Sequence, residues 1–459
     1  MGDSDIIPVE ESGEISVEKV TKDEFEVFQR GEGHVDFRTV GWLKAAIIFT
    51  KILFATGVLA IPSTMYVVGA VPGAILVVLF CVLNTYAGYI LGNFRNAHGG
   101  CHSVADMAGI VGGPILKELC GGLFVLTWVI CSASGIVGAS TGLNALSNHS
   151  LCTNWFSFIV MLIVAIFASA RKFETIGWLT WAGFLSIFVA IFIVVVSVGV
   201  ISRPAAAPQS GPFDLGFHVV ASPAFAPAIT AVQTMFTSSA GTSAFLPVIS
   251  EMRRPKDYNK ALYLSMGIVV VTYLTFSIII YYYCGKWVAS PSLGSAGPLI
   301  KKVAYGVGFI GLIVTACLWI HVSAKYVFVR VLRNSPHLQS NTFVHFGTWL
   351  SCTFGLSIVS FVIAAGVPIF NYILSLAGSI GFAPLALILP AYLWMYDHKD
   401  YRSGTLFKQT VYWLHCLMLF AGGFMTVGGF YGVIQSILDA YKNGEIGSAF
   451  SCEDNSTIK

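Results

Sequence analysis

Charge is what this sequence has least of. Only 11% of its 459 residues are Asp, Glu, Lys or Arg, where ordinary soluble domains carry roughly 25%. Carboxylates are scarcer still within its apolar stretches, where no Asp or Glu falls away from an end. That absence excludes an intramembrane aspartyl protease, which needs paired carboxylates, and a carrier whose proton relay runs through an acidic side chain. It also disfavours a cationic substrate, which would want a buried anion. A neutral zwitterion does not. Its carboxylate can sit on exposed N–H groups at a half-helix start, and its ammonium on the carbonyls of a helix break. No CxxC pair or Cys/His cluster points to a metal, and no cofactor is expected. No polar stretch exceeds about 40 residues, which leaves no room for a separate catalytic domain, and the chain is not read as an enzyme. The basic start and apolar run of a signal peptide are missing. Ile6 stands where a myristoylation motif wants Ser or Thr.

What the chain has is apolar length. Hydrophobic residues make up 56%, and a membrane crossing needs about 20 of them in a run. Eleven such segments are expected, at 43–68, 70–94, 116–146, 155–170, 176–201, 224–250, 261–284, 303–331, 343–366, 369–396 and 409–438. The fold class is therefore an all-α polytopic membrane protein, with a transmembrane domain over 42–439 and a short tail over 440–459. Residues 1–41 are different, with eleven acidic and four basic side chains, and read as a largely disordered tail open to regulatory partners. Alternating loops hold 19 Lys and Arg on one side and six on the other, with Lys51 inside a span. Positive loops stay in the cytoplasm, so the N-terminus is expected inside and the C-terminus outside. Asn148-His149-Ser150 and Asn455-Ser456-Thr457, both glycosylation patterns, fall on the outer side. So do Cys152 and Cys452, which could pair in an oxidising exterior.

Two spans carry matching interruptions. The first contains Thr56-Gly57-Val58 and the sixth contains Phe236-Thr237-Ser238-Ser239-Ala240-Gly241. Small polar residues with Gly weaken a helix, and backbone groups freed there need partners that lipid does not supply. Either break alone could be a kink or a close helix contact. Together they lie about 180 residues apart and divide the chain into two halves of five spans, about 42–201 and 224–396. An odd span count inverts the second half, and paired breaks in inverted halves point to a transporter's binding site.

The residues also resemble a family. Glu26-Val27-Phe28, the run from Thr56 to Pro62, the run from Ser250 to Tyr258, and above all the run from His321 to Arg330 resemble the amino acid/auxin permeases, and among them the fungal neutral amino acid permeases. The resemblance covers roughly residues 25–435. It implies an inverted 5+5 helix repeat with broken helices 1 and 6 plus one peripheral span. It also implies amino acid uptake driven by an ion gradient, usually of protons.

The expected substrate site joins Thr56, Gly57 and Val58 to Phe236, Thr237, Ser238 and Ser239, with N–H groups near Gly57 on the carboxylate. Lys51 lies nine residues after Trp42 and His321 nine before Arg330, so in straight helices both sit roughly 13 Å deep from the same side. Two close cationic groups cannot easily both be charged there and titrate as a pair, which makes them the expected coupling pair. The alternatives are a snorkelling Lys51 and a His321 that only bonds between helices. Glu251 is read as a gate, or as a boundary charge satisfied by Arg253, Arg254 or nearby backbone. The expected partners are a neutral amino acid, protons and membrane lipid, with no nucleic acid. The plasma membrane is expected, with the vacuolar membrane as the alternative. An amino acid sensor without net transport stays open.

Overall fold

The computed structural model describes residues 38–171, 173–444 and 448–456, so nearly all of the expected acidic tail, with Glu26-Val27-Phe28, lies outside the described residues. Among these, regular structure is helical apart from one isolated bridge between Val40 and Met252. The helices are α1 (Trp42–Val68), α2 (Ala70–Ala97), α3 (Val104–Ser147), α4 (Thr153–Ala168), α5 (Phe173–Val200), α6 (Phe225–Ser239) and α7 (Phe245–Ser250). They continue with α8 (Tyr258–Cys284), α9 (Pro298–Leu332), α10 (Phe343–Gly366), α11 (Phe370–Ala377), α12 (Leu389–Asp397) and α13 (Leu406–Lys442). Among the described residues eight helices are long and apolar enough to cross a membrane, and the bent stretch from Phe370 to Asp397 makes nine. Of the eleven expected spans, two fall elsewhere: one on the 16-residue α4, the other on α6 and α7 with a short turn between them. The chain is an integral multi-pass membrane protein.

Polar side chains join a mostly apolar core, and large apolar side chains also face outward. Asn84, Ser132, Gln233 and Thr234 are buried, while Leu414, Leu417, Phe420 and Val427 on α13 are exposed, as a lipid solvent demands. The middle of α1 is 94% buried inside the protein and those of α10 and α13 only 33%. So α1 is the central post, and α13 is an outer helix that docks on α6 through Gln233 Nε2 to the Met425 carbonyl and through Thr230 to Ser436.

Local breaks follow from specific residues. α3 bends at Gly113, whose φ of 73° suits glycine, and Pro114 then starts the crossing part. The tenth expected span bends by 42°. Around Pro384, which has no N–H, Ala383 bonds back five residues to the Gly378 carbonyl and Leu389 back five to that of Pro384, the π-helical pattern. The sixth span breaks where expected, with a 3-10 turn at Gly241–Ala244 between α6 and α7. The first does not: α1 is helical from Trp42 to Val68 without interruption, which corrects the expected break there. A single glycine costs a helix only about 1 kcal/mol, and burial on all sides outweighs that.

Cys152 and Cys452 are joined in a disulfide. The tail beyond α13 is thereby strapped across the α3–α4 end of the protein, where Asn154 Nδ2 donates to the Phe450 and Ser451 carbonyls and Thr153 Oγ1 to that of Glu453. Asn455 is folded in with it. Its Oδ1 accepts from Asn144 Nδ2 at 2.8 Å, and its Nδ2, the atom a glycan needs, is buried. Asn148 is exposed in the α3–α4 loop. The two sequons are thus unequal. Glycosidase treatment is expected to shift the protein's mobility in Asn455→Gln as in the parent and to leave Asn148→Gln unmoved. A shift carried by Asn455 would contradict this placement of the tail.

Candidate functional site

The break in the sixth span lies against the middle of α1. At the end of α6 the hydroxyls turn back onto their own helix: Thr237 Oγ1 donates to the Gln233 carbonyl and Ser238 Oγ to that of Thr234, both at 2.7 Å. Their protons are used, and their oxygens remain as acceptors. Ser239 Oγ accepts from Asn84 Nδ2 on α2 at 2.8 Å. Phe236 is buried with its ring edge-on to Phe80, 5.4 Å between centroids. Val58 is buried too, and the side chain of Thr56 is outside the described set.

Although α1 is unbroken, its middle carbonyls attract side-chain donors. Trp319 Nε1 donates to Ile52 at 3.1 Å, and the Tyr273 hydroxyl lies 2.7 Å from the Leu53 carbonyl and 3.0 Å from that of Ser238. One phenol therefore bridges the expected first-span site to the end of α6. Gly57 is flush against that phenol, so that a Cβ there would stand 2.0 Å from Tyr273 Cζ. The Val58 carbonyl should bond residue 62, but Pro62 has no N–H. Ser292 Oγ answers it instead, at 3.3 Å.

The expected coupling pair is not brought together. Lys51 does not snorkel. It is fully buried, and its Nζ donates to the Gly311 carbonyl at 2.9 Å and to Thr315 Oγ1 at 2.5 Å, both on α9. His321 lies on the same helix but faces elsewhere: its Nδ1 donates to the Ala168 carbonyl at 3.2 Å, and its ring sits edge-on to Trp349 on α10. Equal depth says nothing of direction around a helix. Six residues separate Thr315 from His321, which rotates the side chain by about 240° at 3.6 residues per turn.

His321 instead helps to close the end of α4. The last carbonyls of a helix lack partners, and here those of Ala168 and Ser169 accept from His321 and Trp349 Nε1, while that of Arg171 just beyond the helix accepts from Lys325 Nζ. Lys325 Nζ also lies 2.9 Å from Glu251 Oε1, with both side chains buried. The run from His321 to Lys325 thus ties the ends of α4 and α7 to α9. Lys325 is a partner of Glu251 that the sequence did not suggest, and Arg253 turns its Nε to the Thr39 carbonyl. Val40 N–H donates to the Glu251 carbonyl and Arg253 N–H to that of Val40, so the start of α1 is stitched to the same face.

The opposite face opens into a vestibule of about 320 Å³, lined among others by Ser140, Tyr305, Phe370, Asp454 and Ser456. Its lining includes no residue of the expected substrate site. Tyr273, Trp319, Thr315 and Ser292 were not singled out from sequence. Each looks like an ordinary member of an apolar run, and only tertiary contact shows what it serves.

Residues 38–435 match the family described as transmembrane amino acid transporter protein. A transmembrane transporter of Gibberella moniliformis is 47% identical over 94% of this chain and 91% of its own length, and one of Fusarium pseudograminearum is 46% identical over 94% and 90%. An N amino acid transport system protein of Neurospora crassa is 26% identical, over 92% and 90%. Among solved structures, a nucleobase-cation-symport-1 family transporter in a closed conformation with bromovinylhydantoin bound aligns at TM-score 0.56 and 13% identity, covering 94% of this chain and 100% of that one. That likeness speaks of fold alone. With nearly its whole membrane region matched, the chain belongs to the transmembrane amino acid transporter family and is a membrane transporter, not an enzyme.

Proposed function

We propose that this transporter takes up neutral amino acids together with protons, at the plasma membrane, on an inverted 5+5 repeat with an eleventh, outer span. The observation that carries the reading is the α6–α7 break facing the middle of α1, where hydroxyl, amide and indole groups meet without a carboxylate in either segment. A zwitterion supplies both charges itself and suits such a site, whereas the side chain of lysine or arginine would need a buried anion. The named activity of the Neurospora relative supports an amino acid substrate. α4 and the α6–α7 pair supply the tenth and eleventh crossings of the count.

Coupling is assigned to Lys51 alone. Among the described residues it is hydrogen-bonded to a carbonyl and a hydroxyl, and an amine donates to both whether charged or neutral. A lysine locked to a carboxylate would be held charged and could not cycle. As the inner half of α1 moves, the amine meets water on one side and then the other and carries its proton across. Gating is assigned to Glu251 and Lys325, with the Val40–Met252 bridge, which seal the face opposite the vestibule. The disulfide and the exposed sequon Asn148 support an oxidising exterior on the vestibule side.

The chain reconstituted in vesicles with an inward proton gradient is expected to accumulate labelled leucine. Excess leucine or phenylalanine should compete strongly and arginine weakly, and Gly57→Leu, which collides with Tyr273, should abolish uptake while still reaching the membrane. Competition by arginine equal to leucine would contradict the neutral site, and no net flux would point to a sensor. For the gate, Lys325→Met removes the amine 2.9 Å from the buried Glu251 carboxylate and should cost about 3–5 kcal/mol. Adding Glu251→Gln should restore much of the lost thermal stability. A double variant no more stable than the single one would contradict a coupled pair.

A further inference from the structure

Three indoles are fully buried, those of Trp128, Trp319 and Trp349. Two are spoken for. Trp319 Nε1 donates to the Ile52 carbonyl at 3.1 Å and Trp349 Nε1 to that of Ser169 at 2.6 Å. Trp128 Nε1 is just as buried and has no hydrogen-bond partner among the described residues. In a bilayer no lipid tail can answer it, and a buried donor left unmade costs about 1–3 kcal/mol. A native protein keeps such a group for a reason.

The place of Trp128 gives that reason. It stands in the middle of α3 and reaches the break of the sixth span at Gly241, where a Cβ would come 3.2 Å from its Cη2 and 2.6 Å from Leu53 Cδ2. α1, α3 and the break therefore meet at one point. On its other side the indole is edge-on to Phe382, in the π-helical stretch of the tenth span, with centroids 5.2 Å apart. The break has further polar atoms without partners among the described residues: Thr242 Oγ1, Ser243 Oγ and, on α2, Asn84 Oδ1, all in fully buried side chains. Hydroxyls give and take protons, an amide oxygen takes, and an indole N–H only gives. A zwitterion needs both kinds.

We infer that Trp128 is a substrate-binding residue whose indole N–H donates to the carboxylate of the amino acid held at the span-six break. This rests on the proposed amino acid site and names a donor for it. The carboxylate is the one strong acceptor that every neutral amino acid shares, so a donor-only group at the crossing of three helices reads the common part of the substrate. Side-chain preference is left to the apolar walls. A carboxylate can accept from the indole and from the hydroxyls of Thr242 and Ser243 together.

The test is Trp128→Phe, which keeps an aromatic ring against Phe382 and removes the donor with part of the indole, and leucinamide serves as the control for the lost volume. Binding is read by ligand protection against thermal unfolding of the purified full chain, and KM by uptake into vesicles. Leucine should bind the variant about ten- to a hundredfold more weakly, the range for a hydrogen bond to a charged group. Leucinamide, which lacks the carboxylate charge, should lose less than about threefold. Unchanged leucine affinity, or an equal loss for leucine and leucinamide, would overturn the assignment while leaving the amino acid site standing. If the parent itself neither binds nor transports any amino acid, the proposed function fails and this inference falls with it.

Discussion

Lipid offers no hydrogen-bond partner, and most of this structure is an answer to that constraint. Wherever a helix is weakened or ends inside the bilayer, a side chain from another helix meets the exposed backbone. Tyr273 and Trp319 serve α1, Ser292 replaces the donor that Pro62 lacks, and His321 and Trp349 close the short α4, with Lys325 just beyond it. Span ten makes π-type bonds around Pro384. Each answer also fastens one helix to another. The residues that keep the backbone satisfied are therefore the ones that fix α1, α6, α8 and α9 around a common centre.

Lys51 is the most demanding case. Burying an ammonium costs several kcal/mol even after relaxation, and among the described residues this one is met by a carbonyl and a hydroxyl. The coupling proposed for Lys51 draws on that loosely held position at the junction of α1 and α9. The ion pair of Glu251 and Lys325 is held differently, carboxylate to amine, and suits a seal that must break as a unit. The asymmetry between the two faces follows: one is stitched shut from Val40 to Lys325, and the other opens into a vestibule under the disulfide-bound tail.

Much of this was legible in the sequence, because hydropathy and charge act locally. Nine of the apolar spans and the break at Ser238 to Gly241 could be read from composition. The pairing of Cys152 with Cys452 could be allowed, since both fall on one side. What could not be read depends on rotation and contact. Depth matched Lys51 to His321, yet the helix turns them to different neighbours. Gly57 looked like a break because close packing against Tyr273 and an interruption leave the same mark in a sequence, a small residue in an apolar run. Trp128 looked like any membrane aromatic. Its missing partner is visible only once every neighbour is in place.

The central claim is that proton movement is tied to substrate through Lys51, and it can be measured without following the amino acid at all. Vesicles holding the purified chain and a trapped pH dye, with no gradient imposed, are given external leucine. The lumen should acidify with the parent protein and should not with Lys51→Met. Leucine entry that leaves the lumenal pH unchanged in the parent, or equal acidification by the variant, would contradict the account.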